Sequence, residues 1–342
     1  MPTKVRCGGH VTLLFTVDKS TRLKRSQGST GAGFSIEHGV QIEGTLHRRD
    51  DDSPPTSAGM TPVVHPKPPS PTESIVHVVD MHGEAIEDTA LYMDFIEACR
   101  HATLVRANEW FELEISLECP TSQGFGMSAA GLLALGVFLH ETTNRGTPVQ
   151  YQKIAHRIER EHGAGLGDVL GMSVGGVELR LSPGAPGWPG HALSFNAESP
   201  LLLIWDNVEQ RHTSTYIDHP DWQRSITQAG EQAVKVLSSH PWTAKQWPEL
   251  LNQSNQFAKA SGMLDEPTRA RVFSAVEEAV AHAELQTHCV VRLCMLGSSV
   301  AVLPRHLNEP CDKSMLVDLA KRVEIHGFSS LLTAFASLNH QD

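Results

Sequence analysis

The chain has 342 residues, enough for two domains or one large one, and its apolar share of 40% and charged share of 20% are ordinary for a globular protein. A net charge of −11 without a Lys/Arg run leaves no nucleic-acid footprint, and no apolar stretch approaches the roughly 20 residues of a membrane span. Met1-Pro2-Thr3-Lys4 carries no apolar signal region, and Cys7, Cys99, Cys119, Cys289, Cys294 and Cys311 are scattered without a C-x-x-C pair. A cytoplasmic protein with reduced thiols is therefore expected. The 19 histidines include no H-E-x-x-H or other zinc spacing.

In chain order, Gly9 to Thr16 reads as an apolar strand, followed by a polar segment to Gln27 and the small-residue run Gly28-Ser29-Thr30-Gly31-Ala32-Gly33. A second strand covers Phe34 to Leu46. From His47 to Ser74 the composition changes to a proline-dense tract (Pro54, Pro55, Pro62, Pro66, Pro68, Pro69, Pro71), which can neither continue a helix nor donate to a sheet and reads as a surface insertion. A Pro-rich recognition segment is the functional alternative. Ile75 to Val79 is a strand and Asp88 to Thr103 a helix. Phe111 to Glu118 alternates strictly, with Phe111, Leu113, Ile115 and Leu117 on one face and acids or Ser116 on the other.

Pro120-Thr121-Ser122-Gln123-Gly124-Phe125-Gly126-Met127-Ser128-Ala129-Ala130-Gly131 then runs from a glycine loop straight into an apolar helix, expected to end near Glu141. Glycines let the backbone approach a ligand, and a helix N-terminus offers unpaired N–H groups and a positive dipole end, so this is an anion site. A helix from Val149 to Glu161 and a second glycine loop, Gly163-Ala164-Gly165-Leu166-Gly167-Asp168, follow. Gly176 to Leu181 is a strand and 183–187 a turn. The second half begins with the strand Leu201 to Trp205 and continues with helices near Trp222–Ser238, Ala244–Ala260 and Pro267–Leu285. A strand pair flanks Leu296-Gly297-Ser298-Ser299, and a helix over Asp312–Val323 and a last β/α stretch close the chain. Mixed half-exposed strands and helices predict an α+β fold.

Gly124-Phe125-Gly126-Met127-Ser128-Ala129 formally fits the dinucleotide fingerprint G-x-G-x-x-A. The strand before it alternates apolar and acidic residues, whereas the first strand of a dinucleotide fold is apolar throughout, and the four-residue lead-in from Pro120 replaces the immediate tight turn. No G-K-[ST] follows for a Walker loop. A purely structural helix-start loop is the plain alternative.

Pro-x-x-x-Gly-Phe-Gly-x-Ser-Ala-Ala resembles the second motif of the GHMP kinases. The likeness extends to Cys7-Gly8-Gly9-His10-Val11-Thr12 as the N-terminal strand motif, to Glu159 and to Gly165-Leu166-Gly167-Asp168, and to Met295-Leu296-Gly297-Ser298-Ser299 as the third motif. Within that family, Gly8-Gly9-His10, the 28–33 run, Gly-Phe-Gly and Gly-Leu-Gly-Asp are most similar to the archaeal pantoate kinases.

The resemblance implies a two-domain fold: an N-terminal ribosomal-protein-S5-like domain over 1–194, carrying the 47–74 insertion, and a C-terminal ferredoxin-like domain over 195–342. It implies an ATP- and Mg²⁺-dependent kinase that phosphorylates the primary hydroxyl of pantoate for coenzyme A synthesis, and it leaves a homodimer open. The backbone of Gly124, Phe125, Gly126, Met127, Ser128 and Ala129 would wrap the ATP phosphates, with Gly297 from the third motif. Ser128, otherwise a helix cap, and Glu159, otherwise a solvated glutamate, would hold Mg²⁺. Glu161 faces elsewhere on the same helix. Asp168, otherwise a cap, would meet the acceptor hydroxyl. His10 stands at the family's lysine position and either donates to a ligand or packs. The acceptor carboxylate needs a cationic or N–H-rich pocket, expected at Gly28, Ser29, Thr30 and Gly31 with Arg157, Arg22, Lys24 or Arg25 as the cation. These four cations read equally well as surface charges. Met127 departs from the family serine. The rival readings are a GHMP kinase for mevalonate or homoserine, and a degenerate ligand sensor; Ser128, Glu159 and Asp168 together argue against the sensor.

Overall fold

In the computed structural model, residues 2–49, 73–207 and 220–337 are described. The bulk of the proline-dense tract, residues 50–72, lies outside them. Strand β1 (Thr3–Phe15) pairs antiparallel with the long β2 (Gly31–Arg48), which serves as the spine of a seven-stranded sheet. The other flank of β2 is shared. Its C-terminal half pairs with β5 (Glu109–Leu117), and Gly31–Phe34 pairs with β6 (Val177–Ser182). The hairpin β3 (Ile75–Val79) and β4 (Ala85–Ile86) extends the sheet beyond β5, with β3 parallel to it, and β7 (His191–Phe195) extends it beyond β6.

The alternation in β5 is realised as buried Phe111, Leu113, Ile115 and Leu117 against exposed Glu112, Glu114 and Ser116. One face of this sheet carries α1 (Ala90–His101), α2 (Met127–Thr143), α3 (Pro148–Glu161) and α4 (Asp168–Val174). Helix α2 is apolar nearly all round and is buried accordingly, between β1, β2 and α3. Its small residues let neighbours close in: the ring of Tyr92 sits directly on Gly131.

A second sheet of four strands has the order β11–β8–β10–β9, formed by β8 (Pro200–Trp205), β9 (Cys289–Cys294), β10 (Ser299–Pro304) and β11 (Ser329–Ala334). Helix α5 (Pro220–Leu237) packs on β1 and β2 of the first sheet, whereas α6 (Trp247–Ala260), α7 (Pro267–His282) and α8 (Lys313–Ile325) pack on the second. The predicted helix over Ala244–Ala260 starts as a 3₁₀ turn, Ala244–Gln246, because Pro248 near the start of α6 fixes where the α-helix begins. Strand β7 is absent from the sequence reading; it is short, and only Phe195 of its residues is buried.

The two sheets share one buried core. Phe335 follows β11, stacks edge-on with Phe34 and Trp247, and bridges to Ile36 of β2. The expectation of reduced thiols is overturned at one pair: Cys289 and Cys311 form a disulfide with Cα atoms 6.6 Å apart, while Cys7, Cys99, Cys119 and Cys294 are free. Sequence spacing could not show it, because the two cysteines are 22 positions apart with the whole of β10 between them. Among the described residues no helix is long and apolar enough to cross a membrane.

Candidate active site

The loop before α2 is fixed to β1 at its centre. His10 N–H donates to the Phe125 carbonyl at 3.0 Å, and Gly126, the N-cap of α2, is in the left-handed region with φ 67°. A side chain at Gly126 would meet His10 Cβ at 3.0 Å, so both the dihedral and the close approach call for glycine. Ser128 is the second residue of α2 and does not cap it, which frees its hydroxyl. The first turn of α2 presents N–H groups without intrahelical acceptors.

These residues open onto a cavity of about 390 Å³. Gly124, Phe125, Gly126, Met127, Ser128 and Ala129 all line it, and Val78, Ile86, Leu91 and Leu117 form an apolar wall. Glu159 and Asp168 lie on the opposite side, brought there by α3 and by the start of α4. Of the third motif, Met295 and Leu296 line the cavity. Gly297 instead lies against the backbone of Gln123, where a side chain would collide at 2.1 Å. Gln123 ties the two loops together: its side chain donates to the Asp206 carbonyl at 3.0 Å and accepts from Ser298 N–H at 3.2 Å. Arg269 of α7 donates to the Gly297 carbonyl at 2.8 Å.

Asp168 and His10 meet at 2.7 Å through Oδ1 and Nδ1, and Thr12 donates its hydroxyl to the same oxygen at 3.2 Å. On the far side of the ring, His10 Nε2 is 3.1 Å from Glu178 Oε1. That oxygen also accepts from Arg180 Nη1 at 3.0 Å. His10, Glu178 and Arg180 are all fully buried. Burial opposes charge on His10, but Glu178 and Asp168 outweigh it and raise its pKa to about 9. Burial likewise works against charge on Asp168, and the His10 contact overcomes it, holding this carboxyl below the ordinary range. For Glu159, burial and the nearby Asp168 charge act together and push it up to about 8. Glu159 Oε2 is buried without a hydrogen-bond partner, and Glu161, as expected, turns outward beside Arg157.

The expected acceptor residues are placed at the start of β2. Gly28 pairs with Asp18, and Ser29 is buried. Thr30 contacts Thr16 through their hydroxyls at 2.9 Å, and Gly31 adjoins the Arg180 guanidinium. The candidate cations lie elsewhere. Arg157 is half exposed and 3.8 Å from Glu161, Arg25 lies over the Trp188 ring, Arg22 is exposed, and Lys24 is half-buried.

Arg180, not singled out in the sequence, is the buried cation next to this segment. A side chain at Gly167 would meet Ser29 Oγ at 2.3 Å and Arg180 Nε at 2.9 Å. Arg180 Nε and Nη2 have no hydrogen-bond partner. His156, also buried, donates Nε2–H to the Gln27 carbonyl at 2.9 Å; burial lowers its pKa to about 4, so the ring is neutral. The signal available in sequence was Glu178 and Arg180 at i, i+2 in an otherwise apolar strand, which puts two opposite charges on one face.

Residues 91–176 match the family described as GHMP kinases N terminal domain. The chain is 43% identical over 263 residues to a protein of Thermococcus kodakarensis named pantoate kinase, covering 75% of this chain and 74% of that one. Among solved structures, one described as a phosphotransferase related to CoA biosynthesis pathway superposes with a TM-score of 0.72 at 19% identity, covering 98% of this chain and 97% of that one. Another, described as MDDEF in complex with MVAPP, AMPPCP and magnesium, superposes with a TM-score of 0.62 at 14% identity, covering 99% and 97%. Both share the fold.

Proposed function

The chain belongs to the pantoate kinases of the GHMP kinase family, and from that membership we propose how its own residues carry the reaction. The protein is an ATP-dependent kinase that phosphorylates the primary hydroxyl of pantoate, giving 4-phosphopantoate for coenzyme A biosynthesis. The observation that carries the assignment of roles is the cavity in which the N-terminus of α2 faces Glu159 and Asp168.

The first-turn N–H groups of α2 and the Gly124–Gly126 backbone receive the ATP phosphates, and the apolar wall of Val78, Ile86, Leu91 and Leu117 receives the base. Ser128 and Glu159 suit Mg²⁺: a hydroxyl and a carboxylate face the phosphate side, and Glu159 Oε2 is an unpartnered buried acceptor. When bound, Mg²⁺ neutralises charge on the phosphates.

Asp168 orients the pantoate hydroxyl. That oxygen bonds to the γ-phosphorus as the bond to the β–γ bridging oxygen breaks, ADP leaves, and the hydroxyl proton passes to Asp168. An ionised Asp168 acts mainly by alignment, consistent with the loose transition state of phosphoryl transfer. The pantoate carboxylate is held by Arg180, whose free Nε and Nη2 adjoin Ser29 and Gly31, in place of Arg157. We also place the domain division near 195, between the end of the seven-stranded sheet at Phe195 and the start of the four-stranded sheet at Pro200.

ATP turnover against pantoate, mevalonate and homoserine tests the acceptor. ADP release with pantoate and a ³¹P signal on its primary oxygen are expected. Turnover with mevalonate or homoserine and none with pantoate would overturn the assignment.

A further inference from the structure

Glu178 has no part in the roles above, yet it is fully buried in the middle of a line of alternating charges: Asp168, His10, Glu178, Arg180. One of its oxygens, Oε1, is 3.1 Å from His10 Nε2 and 3.0 Å from Arg180 Nη1, while Oε2 has no hydrogen-bond partner. The approach is built into α4. A side chain at Gly171 would meet His10 Nε2 at 2.8 Å and Glu178 Oε1 at 3.1 Å.

A carboxylate lies beside each ring nitrogen, hydrogen-bonded at Nδ1 and at ion-pair distance without hydrogen-bond alignment at Nε2, and an imidazolium offers both of them an N–H. A neutral imidazole has one, so it would turn a lone pair toward either Asp168 or Glu178. Two carboxylates flanking the ring at 2.7 Å and 3.1 Å therefore favour imidazolium at position 10. Four ionised groups in this order sum to zero charge, which is the arrangement a buried site tolerates. Neutralising Glu178 leaves two cations facing one anion, and the ring is the group that can shed its charge.

We propose that Glu178 is a positioning residue that couples the acceptor-carboxylate site at Arg180 to Asp168, by keeping His10 doubly protonated and holding the Arg180 guanidinium with its Nε and Nη2 free. The inference rests on the proposed roles of Asp168 and Arg180. An acceptor carboxylate on Arg180 competes with Glu178 for that cation and leaves Glu178 more strongly engaged with His10. Acceptor binding and the setting of Asp168 are then linked through one oxygen atom. The charged groups facing His10 are Asp168 from α4 and Glu178 from β6, with Glu159 of α3 and Arg180 of β6 beyond them.

The test is Glu178→Gln in the full chain, assayed with MgATP and pantoate. Its Kd for ATP is expected to stay within about twofold of wild type and its kcat to fall tenfold or more. The high-pH limb of its kcat profile is expected to move to lower pH, because His10 loses a flanking anion. A change in KM alone, or an unmoved limb, would overturn the proposal. A second measurement needs no variant at Glu178: ¹⁵N spectra of histidine-labelled protein at pH 7.5, with the His10 signals assigned by their loss in His10→Gln. Two protonated ring nitrogens are expected, and a singly protonated ring would overturn the proposal even if Glu178→Gln did not fold. Wild-type turnover with pantoate is measured alongside. Its absence would count against the assigned reaction, while the ring protonation reports on Glu178 independently.

Discussion

His10 and Asp168, 158 residues apart in the sequence, meet at 2.7 Å inside the protein. The contact joins the first strand, which also fixes the phosphate loop through the Phe125 carbonyl, to the first residue of α4. His10 thus holds the loop before α2 through its backbone N–H and the Asp168 carboxylate through its ring.

Asp168→Ala should separate these duties. The backbone and α2 dipole that receive the phosphates are untouched, so the Kd for ATP should stay near wild type. Loss of the orienting carboxylate should lower kcat by 10²-fold or more. Isothermal titration with ATP and steady-state assays check the pair, and a near-wild-type kcat would remove Asp168 from the mechanism.

Arg180→Lys keeps a positive charge but not the planar fork. With Nη1 committed to Glu178, the loss of Nε and Nη2 should raise the KM for pantoate tenfold or more and leave the KM for ATP unchanged. Arg157→Ala, on the half-exposed face of α3, should change neither constant by more than about twofold. Equal effects of the two substitutions would move the carboxylate site away from Arg180.

The raised pKa of His10 makes stability depend on pH in a defined direction. The folded protein binds the His10 proton up to about pH 9, whereas the unfolded chain releases it near 6.5. The stabilisation is therefore complete below pH 6.5 and is lost as pH rises through 9. Thermal unfolding of wild type should show Tm falling over that window, and His10→Gln should flatten the fall. An equal slope in both proteins would count against a buried imidazolium.

The Cys289–Cys311 disulfide closes a loop of 22 residues between the start of β9 and the residue before the α8 cap, Asp312. A loop of that size is stabilised by about 3 kcal/mol on the chain-entropy account. Cys289→Ser with Cys311→Ser should lower the Tm by several degrees while leaving the KM for ATP unchanged. Thiol titration of the unfolded, unreduced chain should find the four remaining cysteines free.

Met127 shows how a departure from a motif is absorbed. Where the family has a serine, this methionine is buried and packs over Gly9 of β1. It packs the loop before α2 onto the strand, a contact that only the neighbour from β1 reveals. Ser128, one residue on, still faces the cavity, because a helix turns successive residues by about a quarter turn.

The amino-acid sequence alone makes legible the anion loop, the one-sided β5 and the order of motifs that runs through Ser128, Glu159 and Asp168. These are local patterns, set by backbone N–H groups, side-chain period and spacing along the chain. It could not choose among cations. In one dimension Arg157 on a helix and Arg180 on a strand are both single charges near a glycine loop. In three dimensions Glu178 and Arg180 are fully buried, on a strand packed by α4, whereas Arg157 on α3 is open to water, and this contrast is what favours Arg180 as the proposed cation. The same cause hid the disulfide and the Asp168–His10–Glu178 line. Each joins residues from separate elements, and a buried charge declares its partner only when the elements that exclude water from it are in place.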